Sequence, residues 1–148
     1  MASVFKVSRK LRFADCDPAG IAFYPRLIEH VNGVVEDWFD GPLGYSFHTM
    51  HDLANKGIPT VAISVNFMRP AGLGQMIDWR LQVKALKRSS LTLAVRASGP
   101  DGEDILHAEP TVVHTDFARD PPKSEPFPQA LREKIETYQE PQKEAVVS

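Results

Sequence analysis

The sequence predicts an α+β fold, one long helix wrapped by a curved antiparallel β-sheet. Three observations carry this. One strand pattern precedes one long helical pattern, and four further strand patterns follow. The joins between the later strands are short, which favours antiparallel pairing over the long crossovers that parallel strands need. A single apolar helix stripe must then be covered by a single apolar sheet face. At 148 residues the chain reads as one domain, with a core over about 4–118 and a C-terminal extension over 119–148.

Residues 4–14 read as the first strand: Phe5, Val7, Leu11 and Phe13 share one parity, with Arg9 as the exception. Residues 15–22 form a turn. A helix is predicted over 23–39, where Leu27, Ile28, Val31, Val34, Val35 and Trp38 recur at three- and four-residue spacing. Arg26, Glu29, Glu36 and Asp37 fall largely outside that stripe. Pro25 suits the first helical turn, where a missing N–H breaks no bond. Gly33 inside the helix costs about 1 kcal/mol relative to alanine, so a closely packed neighbour is expected against it. DGPLG (40–44) stops the helix, and residues 46–56 suggest a short second one.

Four strands should follow. Over 60–69, Val61, Ile63, Val65 and Phe67 alternate with smaller or polar residues. Over 76–86, Ile77, Trp79, Leu81 and Val83 alternate with Asp78, Arg80, Gln82 and Lys84, which makes Trp79 sheet core. Leu91, Leu93 and Val95 mark 91–98, and a last strand covers 104–117, where Pro110 predicts a bulge or a sheet edge. GLG (72–74) is too short for a phosphate loop and reads as a hairpin turn. Past 119, RDPPKSEPFP reads as linker, 128–138 as a small helix and EPQKEAVVS (140–148) as loose chain. A single sheet keeps exposed edges, so a homo-oligomer is expected.

Composition narrows the function. The net charge of −2 provides no global basic field for nucleic acid or an anionic membrane. Cys16 is the only cysteine, so disulfide frameworks and multi-cysteine zinc sites are excluded. The first residues lack the apolar run of a signal peptide, and no stretch has transmembrane length, so a cytoplasmic protein is expected. Among the five histidines, His48 and His51 share a helix spacing but have no carboxylate partner at a metal-site spacing. His114 reads as a hydrogen-bonded structural residue.

The informative stretch is DCDPAGIAFYP (15–25). By turn chemistry alone DPAG is a type I turn, with Asp17 first, Pro18 second and Gly20 fourth. Cys16 lies between two acids, which disfavour its thiolate, so it is not a nucleophile. The same turn also delivers a carboxylate just ahead of a long helix. The first N–H groups of a helix lack intrahelical partners and carry partial positive charge. Near Phe23 and Tyr24 they can receive a carbonyl oxygen as it gains charge, while Asp17 attacks the carbonyl or activates water.

This stretch resembles the signature of the 4-hydroxybenzoyl-CoA thioesterase family, whose members have the hotdog fold. The acid, proline–alanine–glycine, hydrophobic pair and FYP stand in family order. The resemblance implies hydrolysis of an acyl-CoA thioester to free acid and coenzyme A, with no metal and no cofactor. It implies Asp17 as nucleophile or general base, the Tyr24 backbone N–H as the group polarising the carbonyl, and Gly20 as a point of close backbone approach. LKRSS (86–90) is by itself a charged hairpin; in the family a basic stretch there contacts coenzyme A near a subunit interface, which makes Lys87, Arg88, Ser89 and Ser90 candidates and Arg69 a weaker one. Short-chain acyl-CoA relatives often carry histidine where Pro25 stands, which favours an aromatic acyl group. Asn32 faces either the acyl pocket or solvent. An acid near that position marks relatives specialised for a para-hydroxyl group, so neutral Asn32 departs from them. Glu29 and His30 reach substrate only if the helix is rotated from this estimate. Dimers paired into tetramers are implied. Alternatives are a thioesterase for aliphatic acyl-CoA or acyl-carrier protein, a non-catalytic acyl-CoA binding module and, on weaker grounds, a double-bond hydratase.

Overall fold

The computed structural model describes residues 2–141. Strand β1 (Phe5–Lys10) leads through a 3₁₀ turn at Phe13–Asp15 into a tight hairpin and then helix α1 (Tyr24–Asp40). A single π-helical turn (Thr49–Leu53) precedes the short β2 (Lys56–Gly57). Then come β3 (Thr60–Phe67), β4 (Met76–Leu86), β5 (Ser90–Ser98), β6 (Asp104–Val113), β7 (Thr115–Asp116), β8 (Lys123–Ser124) and α2 (Gln129–Glu136). The main sheet is antiparallel in the order β1-β4-β5-β6-β3, and β2, β7 and β8 form a small second sheet.

Helix α1 forms where predicted because its apolar residues repeat on one face. Leu27, Val31, Val34, Val35, Trp38 and Phe39 are all buried, against Ile77, Trp79, Leu81 and Val83 of β4 and Leu91, Leu93 and Val95 of β5. Each such side chain contributes about 1.5–3 kcal/mol when fully buried. Arg9 obeys the inward parity of β1 after all. Its guanidinium crosses the helix surface to pair with Asp37, and it lies where a Gly33 Cβ would be, 2.9 Å from Nη1. Gly33 is therefore the gap through which β1 is tied to the helix.

Four expectations fail, each for a local reason. Phe13 is 83% exposed, because the chain leaves the strand after Lys10 and turns, so the two-residue period no longer applies. GLG is not a hairpin between β3 and β4: those strands are not neighbours, and 68–75 is the crossover that carries the chain from one sheet edge toward the other. Pro110 is buried in an interior strand rather than at an edge, paired with Ile63 of β3; the irregularity near it is in β3, between Thr60 and Ala62, opposite Val112 and Thr111. The linker-like stretch is pinned: Lys123–Ser124 pairs with β7, and Phe127, Leu131 and Ile135 join the core. Of the tail read as loose, Glu140 donates its N–H to the Val83 carbonyl at 2.8 Å; residues 142–148 lie outside those described.

Candidate active site

The DPAG turn forms as its residues dictate. The Gly20 N–H donates to the Asp17 carbonyl at 3.0 Å, and the Ala19 N–H donates to Asp17 Oδ1 at 2.8 Å. Gly20 has φ +78°, a conformation that other residues adopt only with strain. Open space faces it, so no side chain there would meet a neighbour. The hairpin closes by bridges between Cys16 and Ala22 and by the Asp17 N–H donating to the Ile21 carbonyl. The 68–75 crossover supports it from outside: the Ala22 N–H donates to Ala71 O at 2.8 Å and the Leu73 N–H to Gly20 O at 3.0 Å. Asp17 is half-buried, and its second carboxylate oxygen accepts no hydrogen bond among the described residues.

Helix α1 starts immediately after this hairpin, with Phe23 as N-cap and no side-chain cap. The Arg26 N–H returns to Phe23 O at 2.8 Å, and Pro25 has no N–H to place. The Tyr24 N–H donates to no acceptor among the described residues. It is the unspent donor at the positive end of a 17-residue helix dipole. A carboxylate with a free oxygen and an orphan N–H thus stand at the two ends of one short loop.

Two cavities flank α1, each of about 330 Å³. The more apolar one lies between the middle of α1 and β3, walled by Val31, Phe47, Ile63 and Phe117, with Asn32 and His51 as polar groups. The other lies at the helix start, against Tyr24, Phe67, Met68 and Arg69. Asn32 therefore reaches a cavity and Tyr24 reaches the other, but Asp17 lines neither within one protomer. Glu29 and His30 line neither as well. Glu29 pairs with Arg26 on the surface.

The basic hairpin is remote from Asp17 in the same chain. Ser90 pairs with Val113 and Thr60 with Val112, which puts Lys87–Ser90 and the start of β3 at one end of the sheet. Lys10 pairs with Met76 at the other end, where the Asp17 hairpin begins. Lys87 and Arg88 are exposed, with no ion pair for either among the described residues. The hairpin is braced by the C-terminal segment: Arg132 Nη1 donates to Lys87 O at 2.9 Å and the Phe127 N–H to Arg88 O at 3.3 Å. Arg69 is committed to Asp101 and Glu103. His48 pairs with Asp52, and among the described residues no three His, Cys, Asp or Glu side chains gather as a metal site would require. His114 is 1% exposed and structural, as expected, with Nδ1 3.6 Å from Glu125 Oε1; burial pushes its pKa down, opposed by Glu125 and by the backbone of Glu125 and Pro126.

One pair was not predicted. His30 Nε2 donates to Asp15 Oδ1 at 3.0 Å, with the two side chains only 18% and 15% exposed. Aspartate in DCD and a histidine on the flank of the helical stripe were both visible, but nothing in their spacing announces contact. Burial alone would raise the Asp15 pKa; the Arg12 N–H and His30 more than offset it, and the carboxyl sits below its ordinary value. The Cys16 thiol is pushed up, by burial and then by Asp15 and Asp17, in keeping with an inert cysteine. Because the folded state lowers the Asp15 pKa, its contribution is complete above the unfolded value of about 4 and is lost as pH falls through the folded one. The stability gap between wild type and Asp15→Asn, measured by urea unfolding, should therefore shrink as pH drops below about 4. A gap that stays constant to pH 2 would remove this assignment.

The model of the thioesterase-like superfamily matches residues 11–135. A thioesterase-superfamily structure from Jannaschia sp. CCS1 superposes with a TM-score of 0.83 at 25% identity, covering 94% of this chain and 95% of that one. A 1,4-dihydroxy-2-naphthoyl-CoA thioesterase from Synechocystis gives 0.81 at 19% identity, covering 90% and 96%. The 4-hydroxybenzoyl-CoA thioesterase of Pseudomonas sp. strain CBS-3 gives 0.78 at 20%, covering 90% and 99%. No curated protein sequence matches. Sheet, helix and neighbours together define a hotdog-fold protein. The chain belongs to the thioesterase-like superfamily and is a thioester hydrolase.

Proposed function

We propose that the protein hydrolyses aromatic acyl-CoA thioesters as a homo-oligomer whose active sites lie between protomers. The observation that carries this is the Asp17 turn set against the unspent Tyr24 N–H at the start of α1. The N–H and the helix dipole stabilise the developing oxyanion, and Asp17 supplies the attacking oxygen or draws a proton from water.

The interface follows from β3. It is an edge strand with an unpaired side, and Val61, Ile63 and Phe67 are exposed along it, Val61 by 61%. Such an edge is a template for pairing, and a second copy satisfies it by two-fold symmetry. Two-fold pairing is antiparallel here, so the Thr60 end of one β3 meets the Phe67 end of the other. The Asn32 cavity touches Thr60 and Ile63, while the Tyr24 cavity touches Phe67. Pairing thus brings the apolar cavity of one protomer toward the Asp17–Tyr24 hairpin of its partner. It also carries the Lys87–Ser90 hairpin to the Asp17 end, where Lys87 and Arg88 suit the phosphates of coenzyme A.

The cavity is walled mostly by aliphatic side chains, with Phe47 and Phe117 placed to pack on a planar acyl group. The names of the Synechocystis and Pseudomonas structures point the same way. A panel of benzoyl-, hydroxybenzoyl-, naphthoyl-, acetyl- and octanoyl-CoA tests the reading. The aryl esters should have the highest kcat/KM, and faster turnover of octanoyl-CoA than of every aryl ester would overturn it.

A further inference from the structure

The half-turn around Asp15 has more connections than a connecting loop requires. Its main-chain carbonyl accepts the Phe23 N–H at 2.8 Å, one residue before α1. Its carboxylate accepts the Arg12 N–H at 2.9 Å on one oxygen and His30 Nε2 at 3.0 Å on the other. The His30 ring in turn lies parallel to Trp79, with centroids 6.1 Å apart and planes 4° from parallel. Trp79 is a fully buried side chain of β4. Asp15 stands two residues before Asp17, and His30 stands on the second turn of the helix that begins at Tyr24. The contact therefore joins the two elements that carry the carboxylate and the orphan N–H, and refers both to the sheet core.

We propose that Asp15 and His30 are positioning residues that lock the Asp17 hairpin onto α1, an inference that rests on the thioesterase site described above. The backbone bridges between Cys16 and Ala22 close the hairpin on itself but do not fix its angle to the helix. The side-chain pair does, because its partner lies about two helical turns beyond the hairpin. It is also mostly withdrawn from water, where a charge-assisted hydrogen bond is stronger and its geometry better held. Arg26 adds a positive charge near Asp15 that also lowers its pKa. Both Asp15 carboxylate oxygens are already engaged, by Arg12 and His30, whereas Asp17 keeps one free, so the pair acts through Asp17 and not on substrate.

The test compares His30→Leu, His30→Gln and Asp15→Asn with wild type, each reported per folded molecule. Misplacing a reacting group by about 1 Å costs up to about a hundred-fold in rate. His30→Leu should lower kcat by about ten- to a hundred-fold while KM stays within about two-fold. His30→Gln keeps an N–H donor and should recover most of that loss. Asp15→Asn combined with His30→Leu should be no worse than His30→Leu alone, since the two act as one unit. Amide hydrogen exchange supplies a readout independent of turnover: Asp17, Ala22 and Phe23 should exchange at least about ten-fold faster in His30→Leu, with β4 and β5 unchanged. Unchanged exchange at those amides, a KM effect in place of a kcat effect, or a Gln variant no better than Leu would each overturn the proposal. If wild type hydrolyses no thioester, the functional reading fails instead, and the exchange data still decide whether the pair holds the hairpin.

Discussion

Asp17→Asn is expected to lower kcat by about 10²- to 10⁴-fold, the range that a positioned general acid–base group supplies. The substitution isolates the charge. Asparagine has the same shape, retains an oxygen to accept the Ala19 N–H, and is as favoured as aspartate at the first position of this turn. Folding stability should therefore hold within about 0.5 kcal/mol. KM should move little, because in the proposed reading the acyl group and coenzyme A are held by residues other than Asp17. Asp17→Ala separates the two roles: it should lose the same activity and also about 1 kcal/mol of stability, since the Ala19 N–H loses its acceptor. Stopped-flow release of coenzyme A and urea unfolding check both. Full activity in Asp17→Asn would end the assignment. A single turnover in ¹⁸O water then locates the carbon that water attacks. Label in the enzyme carboxylate requires a covalent anhydride hydrolysed at the aspartyl carbon, whereas label only in the product acid means that water attacks the acyl carbon, of the thioester or of the anhydride.

The parts of this fold that were legible in the sequence are those buried by the chain itself. Trp38 and Val34 on α1, and Trp79 and Leu81 on β4, are spaced by the geometry of one helix and one strand, and the core they fill is their own. The period misleads at the sheet edge. Val61 and Ile63 follow the inward pattern of a core strand, yet they are exposed, because β3 is an edge strand and Ile63 lines the apolar cavity rather than the packed core. Strand order was equally hidden. Short joins suggested that β3 and β4 are neighbours, whereas the crossover at 68–75 puts three strands between β1 and β3 and braces the Asp17 hairpin on its way. At the site, the turn and the helix start could be read because DPAG and Pro25 have local conformational meaning. The Asp15–His30 pair could not, since it forms only when the hairpin has folded back on α1. Nor could the separation of Asp17 from Lys87 within one chain, which depends on register along the sheet.

Val61→Lys should convert the assembly to single folded chains and abolish hydrolysis. Val61 lines neither cavity, so the change spares the acyl pocket and the helix start. It puts an ammonium on an edge strand, the device by which natural sheets avoid pairing with one another. Two-fold pairing would set each ammonium against the apolar Phe67 end of the other edge strand. Sedimentation equilibrium should show the monomer mass, circular dichroism an intact fold, and the aryl-CoA assay a rate at least about a hundred-fold below wild type. An active monomer would show that one protomer holds a complete site. Mixing experiments sharpen the point, because a composite site can be rescued in trans. Asp17→Asn lacks the carboxylate but keeps its cavity; Asn32→Trp keeps the carboxylate but fills the cavity. Each should be nearly inactive alone. After unfolding and refolding together, about half the dimers are mixed. Each mixed dimer pairs one defective site, made from both damaged halves, with one intact site made from both sound ones. Recovery of about a quarter of wild-type activity is then required by symmetry, and no recovery would mean that Asp17 and the Asn32 cavity serve the same protomer's site or none.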